Sequence, residues 1–185
     1  AYAYSQAQEF VIASGLVNNQ KDAEEWIEGI FRYSLGRLDL PALAQARDAA
    51  DRNDWYRLGE VDEYLQASRE SRELLLEDVE MGRALKRLLV SMDIEAGISE
   101  IPSFVTQFAC AGVSWGIGLQ ELLTGLSYSW LENQVMVATK SVPLGQSEAH
   151  KMLHRLCGLI SVTADKAIEL SKGEDYGDSL HGLAI

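Results

Sequence analysis

The stretch WLENQVMVATKSVPLGQ, residues 130–146, carries most of the information about the fold. Its apolar residues recur with helical spacing, and Lys140 lies near the expected end of the helix, where a cation is favoured. Pro143 prevents the helix from continuing without a kink, and Gly145 allows a left-handed turn before the next helix. The stretch therefore predicts a long helix, a stiff elbow and a second helix. We call residues 140–146 the elbow.

Three consecutive polar residues, Glu132, Asn133 and Gln134, interrupt the apolar pattern of this helix. Successive residues of a helix are turned by about 100°, so the three side chains cannot all face solvent on one side. We expect at least one amide to point inward or toward an interface, where an unmet hydrogen bond costs about 1–3 kcal/mol. A buried amide is typical of a helix that keeps one packing or binds a partner in one register. The alternative is an elbow with a structural role alone.

Helical periodicity extends over the rest of the chain, and no alternating strand pattern or fixed repeat occurs. Residues 68–92 read as one long helix or a broken pair, and Pro41 reads as the first-turn residue of another helix. Ser99, before Pro102, is expected to start a further helix. Residues 109–118 are rich in small side chains, which lets another backbone approach closely. We predict one all-α domain over residues 1–185, a bundle of about eight to ten helices.

Smaller features support the helical assignment. Asn19 or Asp22 is expected to cap a helix that contains Trp26, and Asp54 is expected to cap the helix that begins near Trp55. The four tryptophans all lie on apolar stripes, which predicts that they pack in the core; they are Trp26, Trp55, Trp115 and Trp130.

The composition narrows the class of protein. Apolar residues make up 47% of the 185 residues and the formal net charge is -12, which indicates a globular chain that repels phosphate backbones and anionic membranes. We therefore expect no nucleic-acid or membrane partner. Two cysteines do not form a disulfide framework, and no apolar run or leader predicts membrane insertion or export, so a cytoplasmic location is expected.

The common catalytic signatures are missing. The sequence contains no phosphate-binding glycine loop, nucleophile elbow, H-E-x-x-H helix or CxxC pair. We expect no catalytic residue, no cofactor and no enzymatic activity, although a helical enzyme with an unrecognised pocket is an alternative. A second alternative is a metal carrier, because His150, His154 and Cys157 share one helical sector and could bind zinc, nickel or copper. The competing interpretation of these three residues is an ordinary polar helix face.

Four motifs in order give a more specific indication. WLENQV followed by K-x-V-PLGQ resembles the urease accessory protein UreF family, as do AYAYSQ with Glu9, ASRESRELLLEDVEMGRAL at 67–85 and SWGI at 114–117. The resemblance covers essentially the whole chain. At the first motif the family is closer to S-x-G-L-E, where this chain has Ser5-Gln6-Ala7-Gln8-Glu9. Relative to the family, the N-terminal start and a basic, Arg-containing C-terminal tail are absent.

The resemblance implies an all-α, non-enzymatic protein that forms a homodimer. Proteins of this family bind a UreD/UreH-type accessory protein and recruit a UreG-type GTPase to apo-urease, so that nickel is inserted. The resemblance further implies that the elbow gates contact with the GTPase or urease. The partner-binding residues expected on this basis are Lys140, Pro143, Leu144, Gly145, Gln146, Glu132, Gln134, Ser5 and Glu9.

Overall fold

The computed structural model describes residues 8–97 and 99–173, apart from the side chains of Glu9, Phe10 and Ala13. No strand occurs in these described ranges, which confirms the all-α prediction. The elements are α1 (Gln8–Ala13), α2 (Gln20–Ile30), a π-helical segment (Phe31–Asp39), α3 (Leu40–Asp51), α4 (Trp55–Ala67), α5 (Arg72–Ser91), α6 (Phe104–Ser114), α7 (Leu119–Ser141), α8 (Gln146–Cys157) and α9 (Ile160–Leu170).

The expected count of eight to ten separate helices is wrong, because several consecutive helical elements continue into one another without a loop between them. α2, the π segment and α3 run on continuously, and only Gly158 and Leu159 separate α8 from α9. Apart from the short α1, the described chain forms 6 helical rods. Pro41 is a first-turn residue, as predicted, but the helix it belongs to continues from the preceding segment. Pro41 lies in the first turn of α3, directly after wide π turns in which the N–H of Leu40 donates to the carbonyl of Leu35.

α3 is the central helix of the fold. It packs against α4, α6, α7, α9 and the π segment, and its buried side chains are mostly alanine. Small side chains let neighbouring helices approach closely, as expected for residues 109–118. A Cβ on Gly112 would lie 2.6 Å from a Leu122 methyl carbon. Trp26 and Trp130 are buried in one core, whereas Trp115 is 54% exposed, so the core prediction for Trp115 is wrong.

The helix starts follow their caps. Asn19 accepts hydrogen bonds from the N–H groups of Lys21 and Asp22, and Asp54 accepts one from Arg57, as predicted. Within residues 68–92 the structure has one helix, α5 (Arg72–Ser91), capped by the Ser71 hydroxyl, rather than a broken pair. None of the described helices is both long enough and apolar enough to cross a bilayer.

α6 starts later than predicted, at Phe104 rather than near Ser99, because distant carboxylates cap it. Asp62 of α4 accepts from the Ser103 N–H at 2.8 Å, and Asp78 of α5 accepts from the Phe104 N–H at 2.9 Å. The free N–H groups at a helix start favour such negative charges. Two carboxylates from other helices therefore fix the position of α6.

Candidate partner-binding surface

The three consecutive polar side chains of α7 lie in three different environments. Glu132 is exposed and accepts a hydrogen bond from the Tyr128 hydroxyl at 3.3 Å. Asn133 is half-buried and lines a pocket beside Trp130. Gln134 is 0% exposed, which confirms that one amide points inward. Its Oε1 and Nε2 have no hydrogen-bond partner in the structure as described. Gln134 therefore lies in the core and is not available at the surface.

The elbow is held by short-range hydrogen bonds. Val142 has extended backbone, and its N–H donates to the carbonyl of Ala138 at 2.9 Å, while the Leu144 N–H donates to the carbonyl of Val142 at 2.7 Å. Gly145 has φ of -70° and ψ of 153°, so the predicted left-handed turn is wrong. The chain leaves α7 in an extended conformation and enters α8 at Gln146 without needing positive φ.

The elbow exposes some side chains and anchors others. Val142 is buried and Leu144 is half-buried against the core. Lys140, Pro143, Gly145 and Gln146 are exposed. Because the anchored residues alternate with the exposed ones, the polar groups at this elbow are presented from a fixed backbone.

The predicted residues near the N-terminus are only partly placed. Ser5 and the side chain of Glu9 lie outside the described residues. The backbone of Glu9 belongs to α1, and α1 packs against α7. The helix that contains Glu9 is therefore a neighbour of the helix that leads into the elbow.

The predicted metal-binding trio lies along a groove between α7 and α8. His150 and His154 are exposed there, and Cys157 is half-buried. Burial, assisted by the negative charge of Glu132, raises the pKa of Cys157 and so disfavours the thiolate that would bind a metal. Over residues 8–97 and 99–173, no three His, Cys, Asp or Glu side chains are grouped so as to hold a metal ion. The metal-carrier hypothesis is therefore not favoured.

A second polar region was not predicted from the sequence. It is a pocket of about 230 Å³ between the π segment, α5, α6 and α7, with Arg69 beside it. Arg69 Nη2 donates to Asp39 Oδ1 at 2.7 Å and to Asp78 Oδ2 at 3.0 Å. All three side chains are less than one-tenth exposed. We call Asp39, Arg69 and Asp78 the Arg69 cluster.

Burial and charge act in opposite directions within the Arg69 cluster. Burial alone would lower the pKa of Arg69, but the attraction of Asp39 and Asp78 outweighs it and the pKa rises. Burial raises the pKa of Asp78, because Arg69 and the Phe104 N–H offset only part of the lost hydration. The guanidinium is thus firmly charged, while the charge of Asp78 is only partly compensated.

Comparison with known proteins agrees with the motifs. A family model described as UreF matches residues 17–157, from the turn before α2 to the last residue of α8. The chain belongs to the UreF family.

Relatives of this UreF-family chain align with all of it. The protein named urease accessory protein UreF from Teredinibacter turnerae is 41% identical over 188 residues, which cover 100% of this chain and 85% of the relative. Proteins of the same name from Marinomonas sp. and Chromohalobacter salexigens are 41% and 36% identical, again over 100% of this chain and over 80% and 81% of their own lengths.

Sequence reasoning found the elbow of this UreF-family chain but missed the Arg69 cluster. The elbow is contiguous, so its proline and glycine mark it directly. Asp39, Arg69 and Asp78 come from three separate segments and share no spacing rule. One available signal was the pair of charges at 69 and 78 within the 67–85 motif, which a solvated helix face explains equally well.

Proposed function

We propose that this UreF-family chain is a cytoplasmic, non-catalytic maturation factor for urease. In this proposal it forms a homodimer, binds a UreD/UreH-type accessory protein and recruits a UreG-type GTPase to apo-urease, where nickel is inserted. The support is that proteins named urease accessory protein UreF match the chain from end to end.

The geometry favours a binding role through the elbow. Lys140, Pro143 and Gln146 project from a backbone that is fixed by Val142 and Leu144. Polar groups held on a fixed frame lose little conformational freedom on binding, so more of the contact energy appears as affinity. This exposed elbow is the observation that carries the proposal.

Both cysteines are poorly suited to nucleophilic chemistry. Burial, assisted by Asp62, raises the pKa of Cys110 to about 12, and Cys157 is shifted in the same direction. A thiol needs a lowered pKa to act as a nucleophile near neutral pH. The two thiols therefore give no reason to assign an enzymatic role.

Co-purification tests the proposal. The protein is co-expressed with its UreD/UreH-type and UreG-type counterparts, and complexes are measured by affinity capture and by light scattering after size exclusion. We expect capture of the accessory protein, recruitment of the GTPase only when that protein is present, and a dimer mass for the free protein. Absence of binding to either counterpart would refute the assignment, and a monomer mass would remove the dimer from it.

Urease activation in cells gives the functional readout. Cells that lack their own UreF-type gene are supplied with this protein, and urease activity and nickel content of the purified urease are measured. We expect both to depend on the added protein. Full activation without it would contradict the proposed role even if the complexes form.

A further inference from the structure

The pocket beside the Arg69 cluster combines apolar walls with an acidic floor. Its apolar lining comes from the π segment, α5, α6 and α7: Leu35, Leu74, Met81, Phe104, Val105, Leu126 and Trp130. Asp39, Asp78 and Glu77 also line it, and Arg69 is the one basic residue among the lining residues that the structure describes. A group that fits such a surface has an apolar stem and a positive end.

The size of the pocket indicates one side chain rather than a cofactor. Pockets for drug-sized ligands occupy about 300–1,000 Å³, and this one occupies about 230 Å³. An arginine or lysine has a long methylene stem that packs well on apolar surface while its charged end finds polar partners. Trp130 and Phe104 add aromatic surface, over which a cation is attracted.

The acidic groups at the base of the pocket would be stabilised by a second cation. Arg69 is shared between two carboxylates, with distances of 2.7 Å to Asp39 and 3.0 Å to Asp78. Arg69 therefore supplies one positive charge between the two buried carboxylates that it bridges. A further cation close by would lower the free energy of the charged carboxylates.

Other occupants fit less well. An anion would meet more carboxylates than cations, since Arg69 is the sole basic residue among the described lining residues and is already bonded to both aspartates. A metal ion would need a compact ligand set, and the described residues hold no group of three metal-binding side chains. The lining therefore discriminates in favour of an organic cation.

We propose that this pocket receives one arginine or lysine side chain from a protein partner that docks across α5 and α7. That this side chain comes from a docking protein rests on the proposed function, whereas binding of an organic cation in the pocket can be tested without any partner. The site is separate from the elbow: its lining includes Ser129 and Asn133 of α7 but no residue of 140–146.

Methionine methyl groups provide the direct test. The chain has four methionines: Met81 lines the pocket, Met92 and Met136 are exposed elsewhere, and Met152 is buried. Protein labelled with ¹³C at these methyl groups is titrated with the blocked amides of arginine, lysine, norleucine and glutamate. We expect a saturable shift of the Met81 signal with arginine and lysine, at least about fivefold tighter than with norleucine and weaker at high salt. The other three methyl signals should not saturate in parallel.

Two variants fill the pocket, and a third, outside the pocket, is their matched control. Leu74→Trp fills the pocket from α5, and Ser129→Phe fills it from an exposed position on α7, so one remains informative if the other fails to fold. Leu76→Trp places the same bulk on an exposed position of α5 outside the pocket. We expect the filling variants to abolish the Met81 response and Leu76→Trp to keep it. No Met81 shift, or equal shifts with norleucine or glutamate, would overturn the pocket proposal.

Docking of a partner protein at the pocket is tested by capture of the UreD/UreH-type and UreG-type proteins. We expect Leu74→Trp or Ser129→Phe, if folded, to reduce capture of one of them at least about tenfold while Leu76→Trp does not. Equal capture by all variants would overturn docking at the pocket and leave the proposed function intact. If the unmodified protein captures neither counterpart, the proposed function and docking at the pocket both fail, and the methyl titration alone decides the pocket chemistry.

Discussion

The elbow and the Arg69 cluster are two polar regions built in opposite ways. The elbow is one contiguous stretch whose polar side chains face solvent, and its backbone is fixed by local bonds and by the buried Val142. The Arg69 cluster joins three segments and buries its charges in mutual ion pairs. Polar groups of this fold thus contribute to stability where they are buried and paired, and remain available for binding where they are exposed. Substitutions should therefore separate the two regions cleanly.

The largest loss of stability is expected from breaking the Arg69 cluster. Arg69→Met keeps much of the side-chain volume but leaves Asp39 and Asp78 buried without their cation. Removal of one partner from a buried ion pair costs about 3–5 kcal/mol, so the free energy of unfolding in urea should fall by that amount at neutral pH. The deficit should shrink toward acidic pH, because burial raises the pKa of Asp78 and a protonated Asp78 no longer needs the cation.

An exposed ion pair is the control for this variant. Arg83 Nη1 lies 3.0 Å from Glu80 Oε1 on the outer face of α5. Arg83→Met should lower the unfolding free energy by less than about 1 kcal/mol, because solvent screens the pair. Similar losses for the two variants would show that the Arg69 cluster is not a special source of stability.

Gly82 should produce the next largest effect, because it lets the start of α6 reach α5. A Cβ at this position would lie 2.1 Å from the Pro102 carbonyl oxygen, which is backbone and cannot rotate away. Gly82→Ala should therefore lower the unfolding free energy by about 2–3 kcal/mol, as overpacking does elsewhere. The Asp78 bond to the Phe104 N–H should also be disturbed.

Gly125 of α7 gives the opposite expectation for the same substitution. A Cβ there would meet no atom within 4 Å. Gly125→Ala should raise the unfolding free energy by about 0.5–1 kcal/mol, since alanine favours the helix. Equal effects of the two substitutions, measured by thermal and urea unfolding, would contradict the close approach at Gly82.

Asp62 should show a smaller, pH-dependent effect. Burial raises its pKa above 3.8, although the Ser103 N–H and the Thr106 hydroxyl oppose the shift. An acid with a raised pKa in the folded state contributes fully below its unfolded value and loses that contribution as pH rises through the folded value. Asp62→Asn retains an oxygen that accepts both hydrogen bonds and removes the titration.

The difference in unfolding free energy between Asp62→Asn and the unmodified protein checks this sign. Measured from about pH 4.5 to 7.5, the difference should move in favour of the variant as pH increases. Parallel stability curves would mean that Asp62 does not couple folding to pH.

The contrast also explains what the sequence could predict. The position of the elbow, the capping residues Asn19 and Asp54 and the presence of one inward amide follow from local spacing, so they were predictable, but which amide points inward was not. The capping of α6 by Asp62 and Asp78 and the ion pairs of Arg69 depend on where distant helices meet. The local spacing of a single sequence does not predict which distant helices contact one another, and the same acidic residues are equally compatible with a solvated helix face. The continuous α2–α3 helix was missed because Pro41 usually marks a helix start, and only the preceding π turns accommodate it.

Lys140 should show the smallest change in stability and thus gives the sharpest test of the elbow. Its side chain is exposed in the last turn of α7, so Lys140→Ala should alter the unfolding free energy by no more than about 0.5 kcal/mol. Partner-dependent urease activation should nevertheless fall, and Lys21→Ala, at another exposed lysine, should leave it unchanged. Because stability is nearly constant in both variants, a selective loss with Lys140→Ala can only come from contacts that the elbow makes with other proteins. A large drop in melting temperature would instead make Lys140 part of the framework, and equal activation by both variants would move the binding role away from the elbow and toward the pocket between α5 and α7.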